Sequence, residues 1–250
     1  MDRLASRPKS AWVPTKFEFH HGRWRSARTG GVISRLVGDL QVAVYEHAIQ
    51  KYARGRLIDL GCGNAPLAGI YRGVVDEYLW ADWENSAHQR FDLDFEVNLN
   101  SPLPFKDRSF DTILLTDVLE HLAEPDLLFS ELARMLKPGG HIIVGVPFLY
   151  YLHEEPHDHF RYTKFALAHF GLKHHVPPVE IIEAGGAFDV WSDLTGKLLG
   201  GFWRPLARIP YHGWMIAKLL PTIRRLNERA AWRFPLAYVA VYARPASAGR

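Results

Sequence analysis

Between Asp39 and Ala53 the chain reads DLQVAVYEHAIQKYA, with apolar Leu40, Ala43, Val44 and Ala48 separated by polar residues at the spacing of one helical face. Gly55 ends that helix. Strand-length apolar runs then alternate with helical stretches, in the order RLIDLG, APLAGIYRGV, EYLWAD, DTILLT, PDLLFSELARML and GGHIIVGVP. The strand cores Ile58 to Leu60, Thr112 to Leu115 and Ile142 to Val146 are apolar at successive positions, as strands are when helices cover both faces of their sheet. The pattern predicts an α/β fold of Rossmann-like, doubly wound form, with a mostly parallel sheet and helices on both faces.

After Thr163 the pattern gives a helix from Lys164 to Phe170, a strand from Val179 to Ala184 closed by Gly185 and Gly186, and a last strand from Leu236 to Ala243. Residues from about 191 to 233 carry Trp191, Trp203, Trp214 and Trp232 with a run of cations, and read as a helical insertion before the final strand. The first 35 residues or so mix Pro, Arg, Trp and His without periodicity and are expected to form no regular structure. The division expected is a basic arm over residues 1–38 and one domain over residues 39–250, which suits a chain of 250 residues.

The net charge of +3 is too small to name a partner, but its distribution is uneven. From Gly196 to Arg233 the cations Lys197, Arg204, Arg208, Lys218, Arg224, Arg225, Arg229 and Arg233 face only Glu228. The lone Cys62 excludes an intrachain disulfide and fits a reducing compartment, so a cytoplasmic location is expected. The N-terminal residues lack a signal-peptide core, and no apolar run is long enough to span a membrane.

In a doubly wound sheet the ligand lies beyond the carboxyl ends of the strands, where a glycine turn brings it close to the backbone. Gly61 and Gly63 stand there, and such a turn suits a dinucleotide or S-adenosylmethionine. Pro66 occupies the place of the third glycine that a pyrophosphate site needs, and Asp59 would repel a pyrophosphate but could order the loop or attract an ammonium. Asp82, ending EYLWAD, can accept from both hydroxyls of a ribose, which fits either cofactor.

From Arg56 to Thr163 the ordered set LIDLGCG, Asp82, LPFKDRSFDTILLTDVLEHL and LARMLKPGGHIIVGVP resembles the class I S-adenosylmethionine-dependent methyltransferases, especially the quinone-biosynthesis and other small-molecule group. That resemblance implies S-adenosyl-L-methionine as cofactor and direct methyl displacement onto a small-molecule or lipid-linked acceptor. It puts Asp59, Gly61, Cys62 and Gly63 around the methionyl group and Asp82 on the ribose. It puts Asn98 with Leu99 at the adenine edge, and Thr116 and Asp117 beside the sulfonium. The Asn/Asp-Pro-Pro-aromatic signature of adenine and glutamine N-methylation is missing after the fourth of these strands, which disfavours those substrates.

The segment PFLYYLHEEPHDHFRYT falls where the fold sets a loop over the acceptor. A hydroxyl acceptor must lose a proton, and histidine suits that task near neutral pH. His121, His157 and His159 are therefore the catalytic candidates. A metal reading of His153, His157 and His159 matches no strong ligand spacing, and no metal is assigned. The third reading is a structured loop in which Arg161 pairs with Asp158. The insertion from residue 196 to 233 reads either as a platform on an anionic membrane surface, giving peripheral membrane association, or as a helical cap; no nucleic-acid module accompanies it. Two alternatives to the methyltransferase stand at this point, an NAD(P)-dependent oxidoreductase on the same fold and a catalytically silent cofactor-binding subunit.

Overall fold

The computed structural model describes residues 7–27, 32–84 and 91–246. In chain order the elements are β1 (Phe17–His20), β2 (Arg23–Ser26), α1 (Val32–Tyr52), β3 (Arg56–Leu60), α2 (Ala68–Tyr71), β4 (Glu77–Asp82), β5 (Phe95–Glu96), β6 (Phe110–Thr116), α3 (Pro125–Met135) and β7 (Leu136–Pro147). They continue with α4 (Lys164–Lys173), β8 (Pro178–Ala184), α5 (Ala187–Phe202), α6 (Arg208–Ala217), α7 (Pro221–Ala230) and β9 (Ala237–Ala243).

Seven strands form one sheet in the order β5-β4-β3-β6-β7-β9-β8. The strands β3 to β7 run parallel, and β9 enters antiparallel between β7 and the edge strand β8. The expected Rossmann-like, mostly parallel sheet is thus present. Alternate side chains of the central strands face opposite layers, the two-residue period of a pleated strand. Ile58, Leu60, Ile113, Leu115, Ile142 and Val144 pack with Leu128, Phe129, Leu132 and Met135 of α3. Leu57, Leu114 and Ile143 face the other way, onto Val42, Tyr45 and Ile49 of α1 and onto Ala68 and Tyr71 of α2.

Three expectations change. The N-terminal segment is not irregular throughout: β1 and β2 pair as a hairpin across His21 and Gly22, both at positive φ, the geometry whose twist suits a two-residue hairpin turn. Four-residue strands give too short an alternation to read. The first long helix begins at Val32 rather than Asp39, and the helical stretch after the glycine loop contracts to Ala68–Tyr71. Residues 1–6 and 28–31 of the expected basic arm lie outside the described residues.

The insertion does fall between β8 and β9 and is helical. Its anchor is Asp189, buried near the start of α5. The Asp189 carboxylate accepts from the Gly186 amide at 3.0 Å, the Trp214 indole of α6 at 2.6 Å and the Asn227 amide of α7 at 2.5 Å. No described helix is long and apolar enough to cross a membrane.

Candidate active site at the carboxyl ends of the strands

The chain turns sharply out of β3 because Gly61 and Gly63 take φ of 68° and 52°, values that favour glycine. A Cβ on Gly61 would also meet Val118 Cγ2 at 2.4 Å. The Gly61 amide donates to Ala81 O at 2.8 Å, and the Gly63 amide to Asp82 Oδ2 at 2.7 Å. The other Asp82 oxygen accepts from the Trp83 amide at 2.7 Å. One carboxylate therefore fixes the glycine turn to the end of β4, and its oxygens keep acceptor capacity for a ligand hydroxyl.

The turn opens on a cleft of about 930 Å³. Gly61, Cys62, Gly63, Thr116 and Asp117, all expected near the cofactor, line it. So do Arg7 and Lys16 from the N-terminal segment, Tyr45 from α1, and Glu154 from the loop after β7. Asp117, at φ 54°, accepts from Gln41 at 2.9 Å and Tyr45 at 3.1 Å through Oδ1, while Lys16 pairs with its other oxygen at 3.4 Å. The signal for Gln41 and Tyr45 lay in the sequence: two hydrogen-bonding side chains one helical turn apart on the otherwise apolar face of α1.

Other expected residues sit away from the cleft wall. Asp59 is buried beneath the loop, where its Oδ2 accepts from the Tyr71 hydroxyl at 3.0 Å, which in turn accepts from the Trp80 indole at 2.7 Å. Burial pushes the Asp59 carboxyl up to about 7. Asn98 is exposed and accepts from the Asn100 amide at 3.0 Å, while Leu99 is buried in the core.

The three candidate histidines separate. His157 and His159 are exposed, and the His157 ring lies edge-on to Trp83. His121 instead converges with Glu120 and with His153, which was not among the catalytic candidates. Glu120 is 0% exposed; His121 Nε2 lies 3.7 Å and His153 Nε2 3.8 Å from its Oε1. Burial raises the Glu120 carboxyl, and Glu120 in turn raises His153. The pairing of Arg161 with Asp158 forms as expected, bidentate at 2.5 and 2.7 Å, and holds the Asp158 carboxyl well below its usual range. Residues 117–121 follow β6 and residue 153 follows β7, so adjacent parallel strands deliver the cluster from separate segments.

Residues 38–184, more than half of the chain, match the family model described as a methyltransferase domain. A demethylmenaquinone methyltransferase of Renibacterium salmoninarum is 38% identical over 124 residues, which cover 49% of this chain and 47% of that protein. A ubiquinone biosynthesis O-methyltransferase of Brucella anthropi is 30% identical over 99 residues, 36% of this chain and 40% of that one. The chain thus spans about half the length of the curated relatives it matches. Among solved structures, a SAM dependent methyltransferase from Archaeoglobus fulgidus superposes with a TM-score of 0.55 at 14% identity, covering 84% of this chain and 96% of that one, a likeness of fold.

Proposed function

The chain belongs to the methyltransferase-domain family, and from that premise we propose that it transfers a methyl group from S-adenosylmethionine to a small-molecule acceptor. The observation that carries the reading is the glycine turn bound to Asp82 and opening on a cleft of mixed charge. Arg7 and Lys16 suit a carboxylate, and Asp117 and Glu154 suit an ammonium or sulfonium, so the donor set fits an aminoacyl sulfonium. Asp82 would hold the ribose, while Asp59 would support the loop from below through Tyr71. The cofactor supplies an electrophilic methyl; the protein's part is to align the acceptor behind it and manage the acceptor's proton.

The acceptor side is proposed to lie toward Glu154, which lines the cleft and stands 3.8 Å from His121 Nε2. That contact joins the cleft to the cluster of Glu120, His121 and His153, where we place the acid–base chemistry of the acceptor, with His157 and His159 at the rim. Relatives named for ubiquinone and menaquinone biosynthesis support an acceptor of the quinone-precursor class, including a lipid-linked one. The exposed apolar side chains of the insertion, Phe202 at 81% and Leu219 at 78% among them, stand with Trp203, Ile216, Arg224 and Arg225 and support a peripheral contact with an anionic membrane, from which such an acceptor would come.

Calorimetric titration with S-adenosylhomocysteine and, separately, NAD tests the cofactor. Preferential binding of S-adenosylhomocysteine is expected, and a clear preference for NAD would overturn the reading in favour of an oxidoreductase. Incubation with labelled cofactor and cell extract then identifies the acceptor; tight cofactor binding with no labelled product in any fraction would point to a silent subunit.

A further inference from the structure

Glu120 is fully buried, yet neither of its carboxylate oxygens has a hydrogen-bond partner among the described residues. A carboxylate in that position is costly unless a cation faces it. The groups that face it are His121 Nε2 and His153 Nε2, at 3.7 and 3.8 Å, beyond hydrogen-bond range. His121 Nε2 is likewise buried and unpartnered.

The opposite nitrogen of each ring is engaged. His121 Nδ1 lies 3.1 Å from the His157 carbonyl, which can only accept, so Nδ1 carries the proton and Nε2 presents its lone pair toward Glu120. His153 Nδ1 lies 3.3 Å from both the Tyr151 carbonyl and Asp158 Oδ2, two acceptors nearer than the Arg161 Nη2 donor at 3.5 Å, and Asp158 is itself fixed by Arg161. An imidazole whose outer N–H is held by a carbonyl or carboxylate while the inner nitrogen points at a common centre is the arrangement that orients metal-ligating histidines.

We infer that Glu120, His121 and His153 form a binding site for a divalent transition metal of the zinc class. One ligand atom from each residue lies within 4.8 Å of the others. Donors of one tetrahedral ion with bonds of about 2.1 Å sit roughly 3.4 Å apart, so the two histidine–carboxylate separations need to close by a few tenths of an ångström and the two histidine nitrogens, within 4.8 Å of each other, by up to about 1.4 Å, the reach of side-chain rotation. Three protein ligands leave a further position, and Glu154, 3.8 Å from His121 Nε2 and on the cleft wall, marks the side on which it opens. If the methyltransferase reading holds, on which this last step rests, that position takes an acceptor hydroxyl oxygen, whose proton the ion makes easier to lose.

The test uses the full chain, treated with a chelator, desalted and titrated with zinc by calorimetry and with cobalt(II) by visible absorption. One ion per chain is expected, together with the d–d bands of a low-coordinate nitrogen and oxygen site. Glu120→Gln and His153→Gln should each weaken binding by about 100-fold or more, and His159→Ala should leave it unchanged. Circular dichroism of each variant checks its fold, and a zinc-dependent rise in the melting temperature of the unsubstituted chain gives a readout that needs no variant. Failure of that chain to bind either ion, or binding that neither substitution weakens in a folded variant, overturns the site. The measurement involves no turnover, so loss of S-adenosylhomocysteine binding alone would refute the cofactor reading and leave the metal site standing.

Discussion

Gly145 in β7 is the space that Tyr45 occupies: a Cβ at residue 145 would fall 2.1 Å from the Tyr45 hydroxyl and 2.4 Å from its ring. From that position the hydroxyl reaches Asp117 on the cleft at 3.1 Å. Gly145→Ala should therefore displace Tyr45 and destabilise the fold by about 1–3 kcal/mol, the usual cost of overpacking a full core. Tyr45→Phe keeps the packing and loses one hydrogen bond, a cost of about 1 kcal/mol. Urea unfolding of both variants checks the order; a Gly145→Ala midpoint equal to that of the unsubstituted chain would contradict it.

Asp82 is expected to serve stability and binding together. Its two oxygens accept from the Gly63 and Trp83 amides, each at 2.7 Å. Hydrogen bonds to a charged group contribute about 1.5–3 kcal/mol each, so Asp82→Ala should lower stability by at least that much and release the glycine turn. S-adenosylhomocysteine affinity should fall by more than about tenfold, since a good ligand hydrogen bond and the shape of the turn are lost together. An unchanged affinity measured by calorimetry on the folded variant would remove Asp82 from the cofactor site.

The sheet was legible because its central strands are too apolar to belong anywhere but a covered sheet, and the turn because glycine is the residue most at ease at the positive φ of residues 61 and 63. The convergence of His153 with Glu120 was hidden: the residues come from the ends of neighbouring strands, and the pairing of β6 with β7, not spacing along the chain, brings them together. Proximity in sequence pointed instead to His157 and His159, which share a loop with His153 but face solvent. For Asp59 the sequence left two readings open, ordering the loop or attracting an ammonium. This residue adjoins the loop in sequence, but strand alternation turns its side chain toward Tyr71 in the layer beneath.

That buried position gives Asp59 a pH signature. Burial raises its carboxyl from 3.8 to about 7, aided by Asp82 and opposed by the Tyr71 hydroxyl. The native chain then holds this proton more tightly than the unfolded chain, so the contribution of Asp59 is most favourable below its unfolded value and declines as pH rises through the window between about 4 and 7. Above that window the loss is on the order of 4 kcal/mol. Asp59→Asn keeps an acceptor for Tyr71 and removes the titration. The stability of the variant minus that of the unsubstituted chain should rise between pH 4 and pH 8; a flat difference in denaturant unfolding across that range would show that Asp59 titrates normally.

The three bonds to Asp189 make a prediction about the insertion alone. Replacing this buried carboxylate with alanine leaves the Trp214 indole and the Asn227 amide without their acceptor, at a cost of about 1–3 kcal/mol for each stranded group. Because α6 and α7 meet the rest of the chain partly through this residue, Asp189→Ala should speed hydrogen exchange in residues 208–230 well before it does so in β3, β6 and β7. Equal acceleration throughout the chain would mean that the insertion and the sheet unfold as one unit.

The membrane reading of the insertion makes the last prediction, and it separates the apolar contribution from the ionic one. Phe202, Trp203, Ile216, Leu219 and Leu220 are exposed on segments that also carry Arg204, Arg208, Lys218, Arg224 and Arg225. Side chains of this kind at a lipid interface combine burial of apolar surface with attraction to anionic headgroups. The chain should co-sediment with vesicles containing an anionic phospholipid, and less so with purely zwitterionic ones. Raising salt to about 1 M shortens the screening length to about 3 Å and should release the ionic part while leaving a weaker apolar attachment. The pair Phe202→Ser and Leu219→Ser should reduce binding at both salt concentrations, whereas Arg224→Gln with Arg225→Gln should reduce it only at low salt. If the unsubstituted chain stays in the supernatant with anionic vesicles at low salt, the insertion is a cap over the domain and not a membrane surface.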